Sequence, residues 1–306
     1  MANQSKQTKS IHKLKAQISM HSMMIPAMVF AVIFALFPLF GLIMAFQDFD
    51  IGKGFFGSQF VDVYNFTRLF SRPDFITATV NTFVIAVAKI IATTILSIVV
   101  ALLLNEVQNE KLKKVIQVII FLPYFLSWAI IGGIFVEMFA KSGSFNLLLS
   151  YLNIEGKYWI ADNEWFRTII VATDVWKNLG YQVVVFLAAI TTINSNLYEA
   201  AEIDGAGHWQ KCWHVTIPGI KPMIVLMCIL NIGNIMNAGF EQVLVMYSPS
   251  VYPTGDILDT MGYRIGLISG DYSMGTAIGL FKSLISCVCF IIAYRIAFKV
   301  SDYKLF

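Results

Sequence analysis

Six runs of apolar residues, at roughly 23–46, 76–104, 114–140, 166–190, 219–247 and 274–298, leave this chain few ways to fold. Each is near or above the about 20 residues that a helix needs to cross the hydrocarbon of a bilayer. Hydrocarbon offers the backbone no hydrogen-bond partner, so each run must satisfy its own N–H and C=O groups as a helix. The sequence therefore predicts an all-α integral membrane protein with six transmembrane helices. Composition agrees: 57% of the 306 residues are hydrophobic and 13% are charged, against about a quarter charged in a soluble domain. The first run exceeds the core of a signal peptide and reads as an uncleaved span. Residues 1–22 form a polar, basic tail, and 23–306 form one membrane domain without internal repeats, low-complexity tracts or nucleic-acid motifs.

Six spans put both termini on one side, and Lys and Arg choose the side. With the N-terminus inside, the inner segments hold 12 of these residues, from Lys6, Lys9, Lys13 and Lys15 through Lys111, Lys113, Lys114, Lys211 and Lys221 to Arg295, Lys299 and Lys304. The outer segments hold 7, namely Lys53, Arg68, Arg72, Lys141, Lys157, Arg167 and Arg264, and also ten acidic residues. Both termini are therefore expected to be cytoplasmic. Cys212 falls in an inner segment, while Cys228, Cys287 and Cys289 fall in spans, so no structural disulfide is expected. No metal-ligand spacing is found.

Between the fourth and fifth runs lies a polar insert, about 195–218, containing EAAEIDGAGHWQKCWHVTIP from Glu199 to Pro218. Its order reads as helix, tight bend, helix, stop. Asn196 with Glu199 three residues on resembles a capping box and sets a helix start near 196. Gly205, without a Cβ, can take the left-handed conformation that ends a first helix and can let a partner backbone approach. Pro218 permits a new helix to begin there.

The spacing E-A-A, three residues, G, nine residues, I-x-L-P resembles the EAA loop of permease subunits in bacterial binding-protein-dependent ABC importers. The departures, Val215 and Ile217, are apolar for apolar. The extension Asp204-Gly205-Ala206 is similar to the carbohydrate branch. So are Leu102-Leu103-Leu104-Asn105-Glu106, Phe121-Leu122-Pro123-Tyr124, Asn237-Ala238-Gly239-Phe240-Glu241-Gln242 and Gly279-Leu280-Phe281-Lys282-Ser283, which resemble permeases for oligosaccharides or polysaccharide fragments. The resemblance implies that the insert is a pair of short cytoplasmic helices seated in a cleft of an ATPase. It gives Glu199, Ala200, Ala201, Asp204 and Gly205 the role of coupling to that subunit. It further implies a heterodimer with a second related permease, an ATPase homodimer holding ATP and Mg, and an extracytoplasmic solute-binding lipoprotein. This chain then needs no cofactor of its own and is not an enzyme.

Polar residues at bilayer depth cost about 2.5 to 3.5 kcal/mol when charged, so they should face a cavity or a partner. In the fifth run Asn231, Asn234, Asn237, Glu241 and Gln242 fall within about 140° of one another on a continuous helix. Their donors and acceptors suit a sugar; glue between helices is the alternative. In the fourth run Asp174 and Lys177, three apart, are expected to pair. Trp176, Tyr181 and Gln182 are candidates for stacking on and bonding to a sugar ring, with interface packing as the alternative. Pro123 is expected to kink the third run beside Tyr124 and Trp128, which can shape a path. Gly132-Gly133 reads as a site of close helix packing. Lys89 and Lys282, without acids nearby in sequence, are expected to reach a partner subunit or a water-filled cavity.

No G-x-x-x-x-G-K-[ST] phosphate loop occurs, so energy must arrive from elsewhere. An ion-gradient-driven secondary sugar transporter is the competing reading, but its usual paired repeats and coupling ionisable groups are not evident. A membrane glycosyltransferase would need paired catalytic carboxylates in one loop, and none are found.

Overall fold

The structure, a computed structural model, describes residues 22–301, with side chains to 296. The basic tail residues before 22 and the side chains of Lys299 and Lys304 lie outside these. Four helices are long and apolar enough to cross a membrane: α1 (Ser22–Phe46), α3 (Pro73–Asn105), α9 (His208–Gly233) and α12, which runs Tyr272–Ser301. A short helix α2 (Tyr64–Phe70) precedes α3. Two bent pairs raise the candidate spans to six: α4 (Glu110–Phe121) with α5 (Trp128–Met138), and α7 (Phe166–Thr191) with α8 (Ser195–Ile203). Helix α6 (Ser144–Ser150) lies between the pairs, α10 (Phe240–Met246) follows α9, and the short α11 (Leu258–Gly262) precedes α12. The all-helical expectation has one small exception, a two-residue antiparallel ladder of β1 (Gln47–Asp48) and β2 (Gln59–Phe60).

Helices α3 and α7 form the centre. At 33 residues, α3 is roughly 50 Å long, well beyond the hydrocarbon thickness. Pro73 at its first position and Asp74 in its first turn suit a helix start. Asn81, Lys89, Thr93 and Ser97, at spacings of four or eight, are all buried, whereas Ile91, Ile95, Leu96 and Val99 are exposed. The helix is thus polar toward its neighbours and apolar outward, as a lipid-facing element must be. Two apolar clusters flank the middle of the molecule. One holds Phe75, Ile85, Phe166, Ile170, Met236 and Val243. The other holds Ala101, Leu104, Val183, Phe186, Ile220 and Met227.

Two of the expected spans are broken. The third turns through 98° between Phe125 and Trp128, far beyond a kink, because Pro123 closes a short 3₁₀ turn and Ser127 is extended. The fifth stops at Gly233 and resumes at Phe240. Asn234 and Asn237 compete with helical hydrogen bonding, Asn237 Oδ1 accepts from Gly239 N–H at 3.4 Å, and Gly239 takes φ +93°. Of the glycine pair, a Cβ on Gly132 would lie 2.8 Å from Val245, so α5 and α10 touch there, while Gly133 has no atom within 4 Å of such a Cβ.

Candidate functional site

The insert forms a closed helix–turn–helix. Helix α8 starts two residues earlier than the Asn196–Glu199 capping box requires: Asn194 is the cap, its Oδ1 accepting from Asn196 N–H at 3.0 Å. Three adjacent capping residues, Asn194, Ser195 and Asn196, compete, and the first can close an Asx turn. Glu199 then sits in the second turn. At the far end Gly205 has φ +79°; its N–H bonds Glu202 O at 3.0 Å and Ala206 N–H bonds Ala201 O at 2.8 Å. This is the Schellman closure that glycine permits. Tyr198 Oη to Thr216 Oγ1 at 3.0 Å and Lys211 to Glu202 at 3.0 Å tie the arms together. Glu199, Ala200, Asp204 and Gly205 remain exposed and Ala201 is half-buried.

The second arm does not stop at Pro218. It continues as α9 into the membrane, absorbing the proline's missing N–H in a π-turn over Cys212–Thr216. One helix of 26 residues thus joins the insert to the molecule's interior.

There α9 ends beside a cavity of about 350 Å³ between the two apolar clusters. Tyr124, Trp128, Tyr181, Gln182, Asn231, Asn234 and Asn237 line it, as do Lys89, Thr93, Asp174, Asn178 and Gly239. The bend at Pro123 stacks Tyr124 on Tyr181, ring centres 5.3 Å apart and planes 15° apart. Five carboxamides therefore face an aromatic wall. Two of their buried atoms, Gln182 Oε1 and Asn231 Nδ2, have no hydrogen-bond partner among the described residues, leaving one acceptor and one donor for a polar occupant.

The remaining candidates are elsewhere. The helix is interrupted between Gly233 and Phe240, so the five-residue stripe expected of a continuous helix is split. Gln242 is fully buried, its Nε2 donating to Ile170 O and Thr173 Oγ1 at 2.8 Å each. Glu241 is exposed and does not line the cavity. Trp176 packs edge-on against Phe135, 5.6 Å between centres.

The expected Asp174–Lys177 pair does not form. Asp174 pairs with Lys89 at 3.1 Å. Lys177 donates instead to Tyr124 O at 2.9 Å and lies 5.4 and 5.7 Å from the Tyr124 and Trp128 ring centres. Lys89 lines the cavity as expected, yet has an acid at hand, and Lys282 pairs with Asp259 at 2.6 Å. Both acids are distant in sequence, where reasoning from neighbours on one helix cannot find them.

A bundle of apolar helices around a polar interior cavity, joined by one helix to an exposed helix–turn–helix, defines a membrane permease. The chain belongs to the family of binding-protein-dependent transport system inner membrane components, whose pattern matches residues 94–302. It is 34% identical over 298 residues to the Bacillus subtilis polygalacturonan/rhamnogalacturonan transport system permease protein YteP, covering 97% of this chain and 93% of that one. It is 37% identical to LplB of the same organism over 294 residues, 96% and 92% of the two chains. A chain in the crystal structure of a bacterial ABC transporter importing the acidic polysaccharide alginate superposes with a TM-score of 0.87 at 32% identity, over 95% of this chain and 98% of that one. A chain of the alginate transporter in complex with its pentasaccharide-bound periplasmic protein gives 0.88 at 31%, over 96% and 99%. The chain is therefore a membrane-spanning permease subunit of a bacterial ABC importer, and the ion-gradient alternative is set aside.

Proposed function

We propose that this subunit forms half of the translocation path for an oligosaccharide or polysaccharide fragment, and that an ATPase drives it through the insert. The observation that carries this reading is the continuity of α9, which begins at the exposed insert and ends with Asn231 in the cavity wall. A push on the insert therefore reaches the polar interior without an intervening loop. Asn178, Gln182, Asn231, Asn234 and Asn237 supply donors and acceptors for sugar hydroxyls, and Tyr124 and Tyr181 supply a face for a ring. The relatives carry polygalacturonan/rhamnogalacturonan and alginate, which supports a saccharide cargo here.

In this reading the termini and insert are cytoplasmic, and an ATPase homodimer holding ATP and Mg seats Glu199, Ala200, Ala201, Asp204 and Gly205. A second related permease completes the path, and an extracytoplasmic binding lipoprotein delivers the sugar. The test is Glu199→Ala and, separately, Gly205→Leu in the assembled transporter, with ATP-driven uptake measured alongside pull-down of the ATPase. Uptake should fall with membrane insertion intact; normal uptake in both variants would falsify the coupling role.

A further inference from the structure

The break between Gly233 and Phe240 is bordered on its α10 side by a compact set of polar groups, two of which, Lys89 and Asp174, also line the cavity. Lys89 on α3 donates to Ala238 O at 2.8 Å and to Gln242 Oε1, and pairs with Asp174 on α7 at 3.1 Å. Gln242 in turn bonds α7 through Ile170 O and Thr173 Oγ1. Ala238 and Gln242 are fully buried and Lys89 is 7% exposed. A Cβ on Gly239 would stand 2.7 Å from Lys89 Nζ. The ammonium therefore occupies the space that a side chain at 239 would need. One cation thus ties the far end of the break to both central helices.

The near end is held differently. Asn234, just past the end of α9, bonds back to that helix at Leu230 O, 3.2 Å. Asn237 bonds Gly239 N–H within the break. Both are exposed to the cavity side. Ile235 and Met236, directly after Asn234, are buried in the same apolar cluster as Val243, so the chain is held to the centre from 235 onward, while before it runs a helix roughly 39 Å long that starts in the insert.

We infer that Gly233–Asn234 is a hinge between a moving α9 and a fixed break and α10, and that the Lys89–Asp174–Gln242 cluster, with the buried Ile235 and Met236, is the anchor against which α9 works. Lys89 and Asp174 are then positioning residues of transport. Without the anchor, a push on the insert drags α10 along, and the cavity changes shape less for the same nucleotide cycle. Large rearrangements concentrated at a few element-terminal residues between otherwise rigid parts are the usual form of such motion. The inference rests on the reading of the insert as the ATPase contact.

The test uses the assembled transporter in lipid, with native cysteines replaced and spin labels introduced at Ile91 on α3, Leu230 on α9 and Glu241 on α10, all exposed positions. Between nucleotide-free and ATP-bound states the 91–230 distance should change by more than about 2 Å while 91–241 stays fixed. Lys89→Met with Asp174→Asn removes both charges together, so that neither is left buried alone. In that double variant the 91–241 distribution should broaden, and sugar imported per ATP hydrolysed should fall about tenfold or more. Gly239→Ala, which crowds the ammonium without altering any charge, should act in the same direction. Equal movement of both distances in the parent overturns the hinge. A narrow 91–241 distribution with coupled uptake in both variants overturns the anchor. A parent in which neither distance responds to nucleotide overturns the ATPase-contact reading itself, and the hinge with it.

Discussion

At the scale of single residues, neighbours in sequence do different work. Gln242 and Asn237 belong to one polar stretch, but Gln242 is sealed among Lys89, Ile170 and Thr173 while Asn237 faces the cavity. Gln242→Leu should therefore lower assembly, by about 0.6 to 1.7 kcal/mol for each interhelical bond lost. Asn234→Leu and Asn237→Leu should leave assembly nearly unchanged and reduce uptake. Detergent-resistant assembly and uptake per assembled complex, measured on the same three variants, separate these outcomes; lost assembly in the asparagine variants would return them to helix glue. Gly205 gives a second contrast. Its φ of +79° penalises any side chain, but a Cβ there meets no atom within 4 Å. Asn tolerates the left-handed conformation better than Leu, so Gly205→Asn should retain substantially more uptake than Gly205→Leu. Comparable uptake in the two would argue against a requirement for close approach at this turn.

At the scale of elements, the sequence reveals helices better than their interruptions. Apolar runs place α3, α7 and α12 within a few residues of where they lie. Pro123 signals a kink, but its size and the gap in the fifth span escape because hydropathy is blind to direction: Leu122–Leu126 is as apolar as the helices it separates, yet the chain turns through 98° there. Asn234 and Asn237 read as part of a polar stripe on a continuous helix, whereas in the structure Asn237 caps a break that Gly239 closes at φ +93°. Of the aromatic and amide lining of the cavity, Tyr124, Trp128, Tyr181, Gln182, Asn231, Asn234 and Asn237 were legible, whereas Asn178 was not, and Trp176, Glu241 and Gln242 lie elsewhere. Lys89 and Asp174 as a pair were not, since helical spacing favoured the wrong partner. A third prediction belongs here. The segment from Pro249 to Ile268 is pinned by Asp256, which is 4% exposed and accepts from Arg264 Nη1 and Nη2 at 3.0 and 2.6 Å. That carboxylate holds the Arg264 guanidinium above its ordinary pKa. Arg264→Met leaves the acid buried and unpaired, at a cost of about 3 kcal/mol. A lowered melting temperature in detergent is expected, and an unchanged one would mean that water replaces the arginine.

At the scale of the whole molecule, orientation is the first thing to check. Gln210 is exposed in the insert, and Glu164 is exposed before α7. With impermeant thiol reagent on intact cells in a cysteine-free background, a cysteine at 164 should label and one at 210 should be protected; the reverse pattern would invert the protein. The Lys89–Asp174 pair also has a consequence for how the chain is made. Asp174 follows Lys89 by 85 residues, so α3 leaves the ribosome and meets lipid long before its counterion exists. Its strongly apolar window can carry one lysine, whereas α7 bears Arg167, Asp174 and Lys177. The earlier helix is therefore expected to enter on its own hydrophobicity, and the later one to find its counterion already in the membrane, so that order of synthesis would form part of the folding instructions.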